Sequence, residues 1–407
     1  KTWGMLVESL NMFGTHLNIR FIVMSATLPK IGKLLAEIAD PFVDLVTERA
    51  TYFGNRNFAG RVKYQPELLT EEPWNLEKFS DQMLGITIGE MRSGQVTKVL
   101  VEFVSKKEAN RFYKVIRRDR QSDIFDNIFL LNGYIIEPRR RQLINYLKKK
   151  SSEKVLVVAT QVIEAGVDID MDLGFKDKAM PDTDEQFAGR VNRNASKSNC
   201  RVYLFSSDKA GLVYRGDTRF EVCKNQLSRD EYLQILAEKN FEIMYDRVLR
   251  HYRHIDHLDL ADNLKTFRQN FRMLDFLFVS KAFKLIDSDT VQVFVPLQIG
   301  ASFFSDKEKS TVKLLIPEFD GKLTNGEIVF RRFQTLLREH TDDFVLKNAM
   351  IKSINSIMSF FTFNVYRNSL ELRTLQRYGE FFGDIFYLRD YHDVYSFEDG
   401  LVISEND

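Results

Sequence analysis

Between Lys98 and Phe205 the chain returns repeatedly to short apolar runs of strand length, separated by stretches with helical spacing. The runs are KVLVEFV (Lys98 to Val104), NIFLLNG (Asn127 to Gly133), KVLVVAT (Lys154 to Thr160), VDIDMDLG (Val167 to Gly174) and CRVYLF (Cys200 to Phe205). Strands this apolar suit a parallel sheet covered on both faces. A helix predicted from Asn75 to about Ser93 precedes the first run. A second opens at Ser105, which stands at capping-box spacing from Glu108, and a third has Pro138 near its first turn. Strand, helix, strand in this order, with connections long enough for parallel crossovers, predicts an α/β fold.

Outside this region the pattern changes. IRFIVMSATLPK (Ile19 to Lys30) reads as a buried strand ending at Met24, a Ser-Ala-Thr turn, and a helix start near Pro29 and Ile31. The irregular stretch from Arg49 to Pro73, rich in Asn, Gly and Thr, reads as a linker. After about Asp208 the alternation stops. A long helical segment is expected from about Ser228 to His257, a hairpin in AFKLIDSDTVQVFVP around Ser288 to Thr290, and a second turn at Asp399-Gly400 within YSFEDGLVIS. No internal repeat or low-complexity segment is present.

Composition bounds the function. A length of 407 residues exceeds one ordinary core and predicts about two to three domains. No apolar run approaches the roughly 18 to 20 residues needed to cross a bilayer. The first residues, with Lys1, Trp3, Gly4 and Glu8, do not make a signal peptide, and a first residue that is Lys suggests an excised or truncated product. Cys200 and Cys223 are too few for a disulfide framework or a four-cysteine zinc site, so a reducing cytoplasm is the expected compartment. A formal net charge of +1 argues against a chain coated in nucleic acid but leaves room for a local basic groove. The 34 phenylalanines, mostly towards the C-terminal half, are read as core packing.

The chemistry concentrates in EQFAGRVNR, Glu185 to Arg193. On a helix beginning near Thr183, Gln186, Gly189, Arg190 and Arg193 would form one stripe. Guanidinium forks match phosphate oxygens bidentately, and a pair of them neutralises the charge that spreads over a transferred phosphoryl group. The glycine permits close backbone approach. Taken alone, the pattern also fits a solvated helix face. Upstream, ATQVIEAGVDID (Ala159 to Asp170) lies at the C-terminal end of a strand, where open α/β sheets bind ligands. Thr160 and Gln161 are thus placed where a nucleotide or a nucleic-acid strand would lie. Gly166 allows backbone contact, and Asp168 offers a carboxylate for a ribose hydroxyl or a basic side chain. Asp168, Asp170 and Asp172 would share one strand face, with a metal site as the minor reading. His251, His254 and His257 step around a helix and read as a surface or interdomain face; His392-Asp393 lies in the C-terminal tail without companion histidines.

Taken together, MSATLP, ATQVIEAGVDID and QFAGRVNR resemble motifs III, V and VI of superfamily 2 helicases, and the wording is most similar to the CRISPR-associated helicase-nucleases of type I systems. FKDKAMPDTDEQFAGRVNRN and YSFEDGLVI also look like that family. The resemblance is strong from Ile19 to Phe205 and diffuse afterwards. It implies a RecA-like parallel sheet with flanking helices over residues 74–215, a remnant of a first RecA-like domain over 1–49, a linker over 50–73, and a mixed α+β C-terminal domain behind a helical linker over 216–407. It also implies ATP and Mg²⁺ as cofactors, with single-stranded DNA and a CRISPR surveillance complex as partners, in the cytoplasm and without a membrane. By position, Ser25 and Thr27 couple nucleotide state to domain closure. Thr160 and Gln161 lie near the DNA backbone, and Gly166 and Asp168 near the nucleotide. Gln186, Arg190 and Arg193 reach the phosphates, Arg193 as the arginine finger.

The departures are equally informative. No G-x-x-x-x-G-K-[ST] occurs, since Gly32-Lys33 and Gly321-Lys322 are each followed by Leu. DEQF, Asp184 to Phe187, copies the letters of an acidic box but opens a helix. The phosphate cradle and the Mg²⁺ ligands are therefore expected in a missing N-terminal half, together with a nuclease domain, and this chain alone is expected to be inactive. The lone strand at Ile19 to Met24 is expected either to pair with another polypeptide or to pack irregularly. The basic runs KKEANRFYKVIRRDR and PRRRQLINYLKKK mark an expected DNA path, with Asn132, Gly133 and Arg139 as contacts; ordinary solvated helix faces are the other reading. A superfamily 2 enzyme acting on RNA, and a nonenzymatic recruitment module with a helicase fold, remain as alternatives.

Overall fold

The computed structural model describes residues 2–25, 27, 43–46, 48, 51, 54–55, 60–92, 96–149, 151–164, 166–282, 289–340 and 343–402. Strands β1 (Lys63–Gln65), β2 (Lys98–Glu102), β3 (Asn127–Leu131), β4 (Val155–Ala159), β5 (Leu173–Asp177) and β6 (Arg201–Phe205) form one sheet in the order β1-β6-β5-β2-β4-β3. Arg201 of β6 lies opposite Lys63 and Leu173 on its parallel neighbours, and Asn127 lies opposite Val155. Every position of β4 and β5 is buried; β4 accordingly reads as an unbroken apolar run, whereas β5 carries Lys176 and Asp177. This is the expected RecA-like α/β sheet. β1 comes from the stretch read as linker.

Helices α1 (Thr2–Leu17), α2 (Leu76–Met91), α3 (Lys106–Ile116), α4 (Glu137–Lys148) and α5 (Pro181–Ala188) follow local signals. Asn75 caps α2, its side chain accepting from the amides of Glu77 (2.9 Å) and Lys78 (3.4 Å). α3 buries Ala109, Phe112, Tyr113 and Ile116, one amphipathic face. Pro138 sits in the first turn of α4, where its missing amide costs nothing.

The chain divides into two compact units that interleave along the sequence. The first holds Lys1–Val96, Leu100–Ser105 and Met171–Asp287. Its aromatic core stacks Phe79 on Phe205 at 4.0 Å, with Phe103 edge-on to Phe205 at 5.2 Å; each buried ring of this kind is worth about 1.5–3 kcal/mol. The segment read as one long helix is two, α7 (Arg229–Glu238) and α8 (Glu242–Arg272), preceded by α6 (Thr218–Gln226). Ser228 and Glu231 form a capping box at the start of α7, and Lys239, at φ +58°, ends it in a left-handed turn. α1 lies against α8 through Glu8 and Arg268 (2.6 Å) and the rings of Phe13 and Phe271.

The expectation of a buried strand at Ile19 to Met24 is corrected. Residues 18–25 have no strand structure, and Ile22 is 70% and Met24 86% exposed. A strand needs a ladder partner for its amides and carbonyls, and the six-stranded sheet forms without this run. The helix start near Pro29 and Ile31 lies outside the described residues.

The second unit holds Thr97–Val99, Lys106–Asp170 and Ser288–Asp407. Its C-terminal part is mixed α+β. β7 (Thr290–Phe294), β8 (Gln298–Gly300), β9 (Leu323–Asn325), β10 (Thr362–Tyr366), β11 (Glu380–Phe382) and β12 (Ile385–Tyr387) form a four-stranded sheet, β10-β7-β12-β11, and the pair β8-β9. β7 runs antiparallel to β10 and parallel to β12. Its apolar face and helices α9 (Asp306–Leu315), α10 (Gly326–Arg338) and α11 (Phe344–Met358) enclose Phe294, Phe330, Phe361 and Phe386. The phenylalanine-rich composition is core packing here. The first strand of the hairpin expected around Ser288 to Thr290 lies outside the described residues. The turn at Asp399-Gly400 forms as expected between β13 (Tyr395–Ser396) and β14 (Gly400–Leu401). Gly400 has φ +71°, and a Cβ there would lie 3.1 Å from the Tyr134 carbonyl oxygen, so only glycine fits.

Candidate functional site

α5 begins at Pro181 rather than Thr183, whose hydroxyl donates to the Met180 carbonyl at 2.9 Å. It ends at Ala188, so Gln186, Gly189, Arg190 and Arg193 do not form one helical stripe. The amides of Gly189, Arg190 and Val191 close the last turn on the carbonyls of Glu185, Phe187 and Ala188 at 2.8–3.0 Å. The chain then leaves the helix. The Met171 amide donates to the Arg190 carbonyl (2.9 Å) and the Asn192 amide to the Met171 carbonyl (2.8 Å), a parallel bridge of Met171 with Val191. Asn192, at φ +48°, makes the left-handed bend, and its side-chain amide donates to the carbonyls of Arg61 and Lys197, both at 2.9 Å. The cause of the break is packing. Val191 is fully buried beside Gly174 of β5, where a Cβ would lie 2.9 Å from Val191 and 2.8 Å from Phe187. Burying Val191 outweighs another turn of helix. Gln186 and Arg193 are exposed and Arg190 half-buried, at the end of a braced turn.

The acids of PDTDEQF are held internally, unlike an acidic box. Asp182 accepts from the Tyr245 hydroxyl (2.9 Å) and Arg219 (3.4 Å). Asp184 accepts from the Tyr232 hydroxyl (2.6 Å), and Glu185 from the Tyr64 hydroxyl (2.6 Å) and from Lys239. Behind them Lys176 of β5, with no exposed surface, lies 2.7 Å from Glu102 and 3.7 Å from Asp184. Burial pushes the Asp184 carboxyl up to about 6, while Lys176 and the Tyr232 hydrogen bond restrain it. Asp177 accepts from the Val104 amide and from the amide and hydroxyl of Ser207, and burial raises its carboxyl against those bonds. The sequence reading passed over Lys176, Asp177 and the tyrosines. The available signal was a lysine and an aspartate inside an otherwise apolar strand, LGFKD.

Thr160 is buried at the end of β4, its amide donating to the Leu131 carbonyl at 3.2 Å, and Gln161 opens a short 3₁₀ turn half-exposed. Gly166 has φ +73° and open space around it. Asp168 is exposed and paired with Lys148 at 2.9 Å. The strand expected at Val167 to Gly174 is corrected to β5, Leu173–Asp177. Val167, Ile169 and Met171 do alternate inward, but ladder pairing starts only where Leu173 meets Arg201. The three aspartates therefore share no strand face. Asp172 is buried and paired with Lys197 at 2.6 Å. Among the described residues no group of three His, Cys, Asp or Glu could hold a metal. His392 packs on Tyr391, and the side chains of His254 and His257 lie outside the described residues.

The Thr27 amide donates to the Ser25 hydroxyl at 3.2 Å; Ser25 is exposed and Thr27 buried. Asn132, Gly133 and Arg139, expected as DNA contacts, lie in closely packed surroundings. Asn132 is fully buried, donating to Asn110 at 2.6 Å and accepting from the Tyr134 amide at 2.8 Å. A Cβ on Gly133 would lie 3.1 Å from Lys106. Arg139 is buried between Glu398, Gln142 and the Phe129 ring. Neighbouring cations are engaged likewise, Arg141 with Glu308 (3.3 Å) and Arg117 with Asp399 (3.6 Å). These acids come from the C-terminal part of the same unit, so Arg117, Arg139 and Arg141 pair with it, while Lys107, Lys114 and Arg118 remain exposed.

The six-stranded sheet, with loops at the carboxyl ends of its strands and an arginine-bearing turn after α5, has a RecA-like α/β arrangement. Residues 95–196 match the family described as CRISPR-associated nuclease/helicase Cas3, C-terminal. That stretch of the chain is therefore similar to the C-terminal part of Cas3-type helicases. It is 28% identical over 203 residues to the CRISPR-associated nuclease/helicase Cas3 of Methanothermobacter thermautotrophicus, covering 47% of this chain and 23% of that protein. Over 116 residues it is 23% identical to a putative Cas3 of Methanocaldococcus jannaschii, covering 28% of this chain and 16% of the relative. A crystal structure of T. fusca Cas3 with ADP aligns over 81% of this chain and 38% of that one, at 13% identity and a TM-score of 0.41. The chain thus spans less than a quarter of the length of either curated relative.

Proposed function

We propose that the chain supplies the second motor domain of an ATP-dependent helicase that translocates on single-stranded DNA within a CRISPR interference effector and so unwinds and degrades invading DNA. The observation that carries this reading is the braced turn after α5, which presents Arg190 and Arg193 at the end of a rigid element in a Cas3-type domain. Two guanidinium groups on such a turn suit the charge that spreads over a phosphoryl group in transfer. Arg193 acts as the finger, with Arg190 and Gln186 beside it. Gly166 leaves open space where a side chain would stand, and Asp168 exchanges Lys148 for a ribose hydroxyl. Ser25 and Thr27 transmit nucleotide state, and Thr160 and Gln161 line the DNA path.

These residues fit one half of a nucleotide site. ATP, when bound, supplies the free energy for movement, and its Mg²⁺ and phosphate cradle come from polypeptide outside these 407 residues, because no G-x-x-x-x-G-K-[ST] occurs in them. A surveillance complex delivers the DNA, in the cytoplasm. The test is Arg193→Ala in the intact protein. DNA-stimulated ATP hydrolysis should fall on the order of 10³-fold or more, while DNA affinity stays within about threefold. Equal loss of both would make Arg193 a DNA contact instead.

A further inference from the structure

The helix that leads to the arginines is short and is gripped from its side. α5, Pro181–Ala188, spans only about two turns. Its direction is therefore set by what holds its side chains. Asp182, Asp184 and Glu185 each accept a tyrosine hydroxyl at 2.6–2.9 Å, from α8, α7 and β1 respectively. Tyr232 and Tyr245 are themselves buried. A phenol–carboxylate bond buried in this way is charge-assisted and geometrically exacting.

We propose that Tyr232 and Tyr245, from the helices that follow the sheet, are positioning residues that fix α5 and thereby aim Arg190 and Arg193. The inference rests on the reading of these arginines as phosphate-binding groups. Asp184 is faced by Lys176 of β5, Glu102 of β2, Tyr232 of α7, and within its own segment by the Thr183 hydroxyl and the Ala179 amide. The Tyr232 bond restrains a carboxyl that burial raises, so its removal moves that carboxyl further up.

The experiment compares Tyr232→Phe, Tyr245→Phe, Asp184→Asn and Arg193→Ala in the intact protein by single-stranded-DNA-stimulated ATP hydrolysis across pH, with thermal melting in parallel. Each tyrosine variant should lower kcat on the order of tenfold, with KM for ATP and DNA affinity within about twofold. Tyr232→Phe should also move the acid limb of kcat to higher pH, and Asp184→Asn should flatten that limb. If Arg193→Ala is inactive but both tyrosine variants keep the wild-type kcat and pH profile, this inference is wrong and the parent reading stands. A loss of kcat that tracks melting temperature with no shift of the acid limb equally overturns it. An Arg193→Ala protein as active as wild type removes the reading on which it depends.

Discussion

Lys176 occupies a wholly buried strand position, 2.7 Å from Glu102 and 3.7 Å from Asp184. A buried cation between two acids contributes little net stability, yet removing it strands both carboxylates in low dielectric. Lys176→Met should therefore lower the unfolding free energy by about 3–5 kcal/mol, read by urea denaturation; a change below about 1 kcal/mol would mean the cluster is solvated. Asp184 adds a pH dependence with a definite sign. Its carboxyl goes from 3.8 to about 6 on folding, so the folded protein holds the proton more tightly. That contribution is fully present in acid and is lost as pH rises through about 6. The stability of wild type relative to Asp184→Asn should fall from about pH 4 to about pH 6 and stay flat above. The opposite slope would show that Lys176 dominates and holds the carboxyl down.

At the level of elements, β2, β3, β4 and β6 were legible because each is a short apolar run bounded by polar residues, and α2 and α4 because Asn75 and Pro138 mark their starts. Elsewhere tertiary packing overrode the local pattern. The spacing of Gln186, Arg190 and Arg193 imitates a helical stripe, but burying Val191 against Gly174 ends the helix at Ala188. The alternation of VDIDMDLG is real, yet its pairing waits for Arg201. Arg139 reads as a surface cation, and nothing local shows that Glu398, far along the chain, covers it. Gly174 offers a test of the packing that ends α5. Gly174→Ala places a methyl 2.8 Å from Phe187 and 2.9 Å from Val191. Overpacking of this kind costs about 1–3 kcal/mol, and amide exchange at Val191 and Asn192 should quicken with it. Unchanged stability and exchange would show that α5 is held by its acids alone.

For the whole molecule, the sheet, the Phe-rich C-terminal core and the braced arginine turn are formed among the described residues. The sequence placed Ala159 to Asp170 at the carboxyl end of a strand; it could not show that Arg117, Arg139 and Arg141 are paired, because their partners Asp399, Glu398 and Glu308 lie far along the chain. The apolar run at Ile19 to Met24 forms no strand and is exposed. In the proposed function the arginines form one side of a composite site whose phosphate cradle is supplied by another polypeptide segment. The decisive measurement is ATP hydrolysis in the presence of single-stranded DNA, on the 407-residue chain alone and recombined with a polypeptide that carries a G-x-x-x-x-G-K-[ST] loop and an acidic box. The chain alone should show none above buffer, the recombined protein should hydrolyse ATP, and Arg193→Ala in the recombined protein should abolish it. Hydrolysis by the chain alone at the recombined rate, or none after recombination, would contradict the composite site.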